Sequence, residues 1–317
     1  MAETYPVELV PPDISRYQRG NSGIDYVTTL DGGAPGPHVM LSAIVHGNEL
    51  CGAIALDFLA REGLRPVRGR LTLAFVNVAA YHAFDAAEPR GSRFVDEDFN
   101  RLWSADVLEG PRDSVELRRA RELRPLVDTV DLLLDIHSMQ HPTAPLMMAG
   151  PLAKGRALAR QLGVPQIIVC DRGHAAGTRL RDYGGFGAPD GAKNALLIEC
   201  GQHWEQRSAD RAIEVALRFL LHAWVIDPGF AAPHLVEREL PAQRLIEVSG
   251  PVTIETDDFR FADDYRGLEV IPRAGTVIGF DGEREIKTPH DDCVLVMPSR
   301  RLRQGDSAVR FGRYVGE

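Results

Sequence analysis

Residues 39–49, VMLSAIVHGNE, decide how the rest of the chain is read. The first seven are apolar apart from Ser42. A run this short and this uniformly apolar fits a strand buried on both faces, as in a parallel or mixed sheet. His46 follows at once, Gly47 permits a sharp turn, and Asn48 is suited to cap a helix. That helix is expected over residues 49–62 (ELCGAIALDFLARE), with Leu50, Ala53, Ile54 and Phe58 on one face and Asp57 as its polar interruption. Strand, turn and helix make a βα unit, with an imidazole and a carboxylate at its junction.

The same grammar recurs outward. Residues 71–78 (LTLAFVNV), 132–136 (LLLDI), 166–170 (QIIVC) and 195–198 (ALLI) read as strands. Residues 114–124, 152–162 and 205–225 read as helices, the first ended by Pro125. Alternation of the two predicts an α/β layered architecture, a mixed sheet flanked by helices. The character changes after Trp224: residues 226–241 hold three prolines and read as a linker. Beyond it, short β-rich runs are punctuated by Pro, Gly and Asp, with a hairpin expected at Asp281-Gly282. The predicted division is an α/β domain over 1–228 and a small all-β domain over 240–317.

Composition narrows the partners. Hydrophobic residues at 44% and charged residues at 26% are those of a folded, water-soluble protein. A net charge of -9 repels nucleic acid and anionic membrane, so neither is an expected partner, and an anionic substrate would need a local basic pocket. No apolar run is long enough to span a bilayer, and the N-terminal MAETYPVELVPPD lacks the pattern of a secretory signal. Four cysteines without CxxC spacing, three of them in or beside apolar runs, read as reduced small hydrophobes in a cytoplasmic protein.

Three ionisable residues sit at strand ends: His46, His137 directly after LLLDI, and Glu199 directly after ALLI. In open α/β sheets ligands bind beyond the carboxyl ends of the strands, so these side chains should share one crevice. Each alone reads as a satisfied structural residue; together they read as a site. His46 and Glu49 can face one ion, His137 is the best-placed third ligand, and two His with one Glu is a set that catalytic zinc uses. Asp135 shares a strand face with His137 and can orient its ring, or it can simply cap a neighbouring loop. Glu199, at the end of an apolar run, is expected to be desolvated and suited to act as a general base. The loop RFVDEDFNR, Arg93 to Arg101, reads either as a surface cluster whose acids neutralise its arginines or as a carboxylate-binding element, with Arg93 able to stabilise an oxyanion.

Taken together, HGNE (46–49), RFVDEDFNR (93–101), DLLLDIHS (131–138) and LLIECG (196–201) resemble the succinylglutamate desuccinylase/aspartoacylase family of zinc carboxypeptidase-like hydrolases. The resemblance implies Zn2+ at His46, Glu49 and His137, Glu199 as base and proton shuttle, and Arg93 at the scissile carbonyl. It further implies that Asn100 and Arg101 hold the carboxylate of a small anionic N-acyl amino acid, whose amide is hydrolysed. The implied fold is a carboxypeptidase-like α/β domain with a β-rich C-terminal domain over the cleft. Two departures count against N-acetylaspartate itself. Where aspartoacylases carry a tyrosine, this chain reads CVLVMPSRRLRQGD (293–306). The arginine expected before the base is represented by Arg179 and Arg181 in GTRLRDYGGFG. Competing readings are a metallocarboxypeptidase and a non-catalytic anion-binding protein on the same fold. The acyl group, the amino acid and homo-oligomerisation are left open.

Overall fold

A computed structural model describes residues 5–173 and 176–316. The elements of its first half are β1 (Val27–Asp31), β2 (His38–Ala43), α1 (Leu50–Arg61), β3 (Arg70–Phe75), α2 (Val78–His82), α3 (Ala105–Glu109), α4 (Val115–Val127) and β4 (Leu132–Met139). There follow β5 (Leu146–Met148), α5 (Ala153–Leu162), β6 (Ile167–Cys170), β7 (Asn194–Gln202), α6 (Gln206–His222) and α7 (Pro228–Ala231). The remainder is β: β8 (Arg244–Thr253), β9 (Phe259–Phe261), β10 (Val270–Ile271), β11 (Val277–Asp281), β12 (Arg284–Lys287), β13 (Cys293–Val296) and β14 (Ser307–Val315).

One sheet organises the molecule, in the order β1-β3-β2-β4-β7-β5-β6-β8-β14-β13-β10. Its centre, β3-β2-β4-β7, is parallel, and β5 is inserted antiparallel to β7. This is the mixed sheet flanked by helices that the apolar runs predict. Alternate strand residues feed two cores. Val39, Leu41, Leu134, Ile136, Leu196 and Ile198 pack with α1, α5 and α6 on one face. Met40, Leu133 and Ala195 pack with Leu117, Ala120 and Leu123 of α4 on the other.

Several local expectations shift. β4 and β7 run past their apolar cores, so His137 and Glu199 lie inside strands, paired in register with each other. Asn48 does not cap α1; Glu49 holds that position and makes no side-chain cap bond. Pro125 lies within the last turn of α4 rather than ending it, because Val127 and Asp128 complete the turn beyond it. Gly47 is demanded by close approach: a Cβ there would lie 2.2 Å from the carbonyl carbon of Ala80.

The strands after residue 244 continue the main sheet through the parallel pairing of β6 with β8. A second sheet, β12-β11-β9, contains the expected hairpin, with Gly282 at φ +61. Asp281 anchors it by accepting from the backbone N–H groups of Glu255 and Thr256, from Thr256 Oγ1 and from Arg284. Burial opposes ionisation, yet these donors, led by the Thr256 hydroxyl, pull the Asp281 carboxyl down to about 2. A depressed carboxyl pKa stabilises the fold above the unfolded value near 4, and that contribution is lost as pH falls through about 2. Asp281→Asn is therefore expected to cost about 1–3 kcal/mol at neutral pH and to flatten the acid limb of a thermal-melt series over that window. An unchanged acid limb would contradict the assignment. Among the described residues no helix is long and apolar enough to cross a membrane, and the four cysteines are buried and unbridged.

Candidate functional site

His46 hangs from the loop after β2, Glu49 opens α1, and His137 and Glu199 stand side by side on β4 and β7. All four are buried. The Glu49 carboxylate lies between the imidazoles: Oε1 is 2.7 Å from His46 Nδ1 and Oε2 is 2.9 Å from His137 Nδ1. Each outer nitrogen has a carboxylate of its own. His46 Nε2 is 3.1 Å from Asp98 Oδ1, and His137 Nε2 is 2.9 Å from Asp135 Oδ2. Asp135 is itself fixed by the Ser42 hydroxyl at 2.6 Å. The carboxylates at the two Nε2 positions are placed to accept hydrogen bonds there, which would free both Nδ1 atoms for an ion between them, the usual orientation of histidine ligands.

The charges say the same. Burial opposes ionisation, but His46 and His137 hold Glu49 well below the usual carboxylate range. Burial likewise opposes the His137 cation, and Asp135 and Glu49 outweigh it, holding that imidazole well above its ordinary value. The pocket is thus tuned to keep positive charge between these groups. His46, Glu49 and His137 can hold a metal ion, their candidate ligand atoms lying within 4.8 Å of one another.

Glu199 is pushed up to about 8, first by burial and then by the charge of Glu49. Its Oε2 has no hydrogen-bond partner among the described residues. Arg93 reaches the same centre, with NH2 2.8 Å from His46 Nε2 and 3.2 Å from Asp98, and NH1 3.4 Å from Glu49.

The loop that carries Arg93 is not a loose surface cluster. Glu116, fully buried on α4, accepts from the backbone N–H groups of Val95, Asp96 and Glu97 at 2.7, 3.0 and 3.3 Å. In return Asp96 accepts from Val115 N, and Ser114 Oγ donates to Glu97. Of the loop's acids only Asp98 neutralises its arginines, at 3.2 Å from Arg93 and 3.9 Å from Arg101. Burial pulls Arg101 down to about 10, and Asp98 opposes that shift only in part. The Leu180 backbone N–H donates to the Asn100 amide oxygen.

A cavity of about 140 Å³ adjoins Arg93, Asp98 and Arg101, and it is closed by Met297, Pro298 and Arg301 from the loop between β13 and β14. The stretch that lacks a tyrosine therefore covers the site. Arg179 and Arg181 do not line this cavity. Arg179 forks onto Asp171 at 2.7 and 2.9 Å and onto Asp182 at 2.6 Å. Arg181 bonds Asp182 and the carbonyls of Ala149 and Ala195. Both guanidinium groups are thus engaged with groups inside the fold, away from this cavity. Arg310 of β14 lines the cavity instead, 3.7 Å from Asp171.

Sequence reasoning did not single out Asp98, Glu116, Arg310 or the Ser138–His203 pair, whose Oγ and Nδ1 are 2.8 Å apart. Arg310 had a signal, since it and Arg313 are the two cations in the otherwise largely apolar run SAVRFGRYV. The choice of Asp98 among three consecutive acids had none.

Comparison with known proteins points one way. A sequence model described as the succinylglutamate desuccinylase/aspartoacylase catalytic domain matches residues 35–223. The chain is 25% identical over 299 residues to a succinylglutamate desuccinylase of Shewanella piezotolerans, covering 86% of this chain and 80% of that one. The fold is similar to the crystal structure of a succinylglutamate desuccinylase/aspartoacylase from Rhodobacter sphaeroides, at TM-score 0.64 and 22% identity, over 92% of this chain and 89% of that one. It is also similar to a Vibrio cholerae succinylglutamate desuccinylase, at TM-score 0.67 and 18% identity, over 89% and 83%.

Proposed function

Because the chain belongs to the succinylglutamate desuccinylase/aspartoacylase family, we propose that it is a zinc-dependent hydrolase of the amide bond in a small, anionic N-acyl amino acid. The observation that carries this reading is a single buried cluster: a His₂Glu set and an under-bonded glutamate, with Arg93 and Arg101 among the residues lining an adjoining cavity.

The donor set, two inward Nδ1 atoms and a carboxylate, suits zinc, with His46, Glu49 and His137 as ligands. Zinc, when bound, supplies Lewis acidity that polarises a carbonyl and lowers the pKa of water. Glu199 takes a proton from the attacking water at its free Oε2 and returns it to the departing amine nitrogen. A carboxyl lifted towards neutrality suits both halves of that transfer. Arg93 turns its guanidinium to the scissile carbonyl oxygen, where negative charge grows in the transition state. Arg101, with the amide nitrogen of Asn100, holds the amino-acid carboxylate. Arg310 takes a second carboxylate where one is present, in place of Arg179 or Arg181. The loop at 297–306 excludes water from above and suits a small substrate better than a peptide. The buried thiols fit a reducing compartment such as the cytoplasm.

The test is a panel of N-acetyl, N-succinyl and N-formyl amino acids offered to the zinc-loaded protein. Release of free amino acid, abolished by chelation and restored by zinc, is the expected result. Failure on the whole panel, with release of C-terminal residues from dipeptides, would replace this reading by a metallocarboxypeptidase. Failure on both with retained anion binding would leave a binding protein.

A further inference from the structure

A second pocket, of about 520 Å³, meets the first at Arg93 and is not lined by Arg101. The two cavities share Arg93, Gln140 and Arg301 as a common wall. If Arg101 holds the amino-acid end and Arg93 the carbonyl, the group that extends past Arg93 is the acyl group. This inference rests on the deacylase reading for that orientation.

The pocket is far larger than an acetyl group needs, and lies within the range of sites for whole metabolites, roughly 300–1,000 Å³. It is lined by Arg90, Arg93, Arg300, Arg301 and Arg303 and by no Asp or Glu, in a chain whose net charge is -9. Arg93 is engaged with Asp98 and Glu49. Arg301 stacks over Phe94 at 4.8 Å and meets Asp306 only at 3.6 Å, its Nε buried without a hydrogen-bond partner. The Arg303 side chain makes no hydrogen bond or ion pair among the described residues.

The segment carrying these arginines is a built element. Arg300 N donates to Gln140 Oε1 at 2.8 Å, Ser299 N to the Ala308 carbonyl at 2.7 Å, and Gly305 N to the Ile254 carbonyl at 2.8 Å. On the opposite wall Asn48, next in sequence to the ligand Glu49, has its buried amide oxygen unpartnered. Turned over, that amide presents a donor to the pocket.

We propose that this pocket is an anion subsite for the acyl end of the substrate, with Arg301 and Arg303 selecting acyl groups that carry two or more negative charges. Forked guanidinium groups suit polycarboxylates and phosphate alike, and a single carboxylate could engage only one of Arg301 and Arg303 in bidentate fashion.

Calorimetric titration of the full-length, zinc-loaded protein tests it, with tricarballylate, inorganic phosphate and succinate as probes, one carboxylate of each acid standing in for the scissile carbonyl so that succinate offers the subsite a single charge. Tricarballylate or phosphate is expected to bind at least tenfold more tightly than succinate. The double variant Arg301→Met/Arg303→Met, with its zinc content unchanged, should lose that binding at least tenfold, while Arg101→Met should keep it. Tighter tricarballylate identifies a polycarboxylate acyl group, tighter phosphate a phosphorylated one; either supports the subsite. Equal binding of succinate, no effect of the double variant, or equal loss in Arg101→Met overturns it. Anion binding that depends on Arg301 and Arg303 without hydrolysis of any N-acyl amino acid would sink the deacylase reading alone. Hydrolysis without such binding would sink the subsite alone.

Discussion

Glu199→Gln is expected to keep its metal and lose turnover, with kcat falling about 10²–10⁴-fold and KM moving little. The substitution preserves shape at a fully packed strand position, where Glu199 is paired in register with His137. What it removes is a proton acceptor whose Oε2 is hydrogen-bonded to nothing else among the described residues. A group that acts only as the barrier is crossed alters the rate and leaves substrate affinity alone. Zinc per chain and steady-state kinetics on the same preparation settle the matter. A fully active Glu199→Gln protein would end the general-base assignment, and loss of metal would make Glu199 a ligand instead.

His137→Ala should have the other large effect, through the metal rather than the base. It deletes one Nδ1 donor and strands two carboxylates, Asp135 and Glu49, that meet its ring at 2.9 Å on either side. Leaving buried carboxylates unpaired costs about 3–5 kcal/mol, so a lower melting temperature should accompany the loss of zinc. Asp135→Asn separates the contributions: the ring keeps both nitrogens and loses only the acceptor that orients it. Zinc affinity is then expected to fall about 10–100-fold without being abolished. Wild-type zinc affinity in His137→Ala would remove His137 from the metal site.

The parts of this site that could be read in advance are those governed by local rules. His46 and Glu49 flank a strand-to-helix junction, and His137 and Glu199 follow apolar runs, so position along the chain gave position in space. Asp135 was legible for the same reason, since a period of two puts it on the face of His137. Glu116 was not. Its partners lie 19–21 residues away, and nothing in the composition of α4 marks one glutamate as the anchor of a loop. The surroundings of Arg179 and Arg181 were not legible, because sequence distance from the base is a poor guide where glycines interrupt the chain. Their actual partners, Asp171 and Asp182, lie 8 residues or fewer away. The extent of β4 and β7 was underestimated because polar residues read as strand ends, whereas here the ladder carries them.

The pairing of β8 along β6 also bears on how this protein can be cut and recombined. A chain stopped before residue 244 would present β6, with the sequence IIVC, as a bare apolar edge, a ready template for intermolecular strand pairing. That truncated chain should therefore precipitate when expressed alone, however complete its metal ligands. Grafting is more promising than truncation. The 297–306 tip can be exchanged between homologues while β8, β13 and β14 stay in place as its fixed handle. A swap of ten residues would then move substrate preference between scaffolds without asking the sheet to refold.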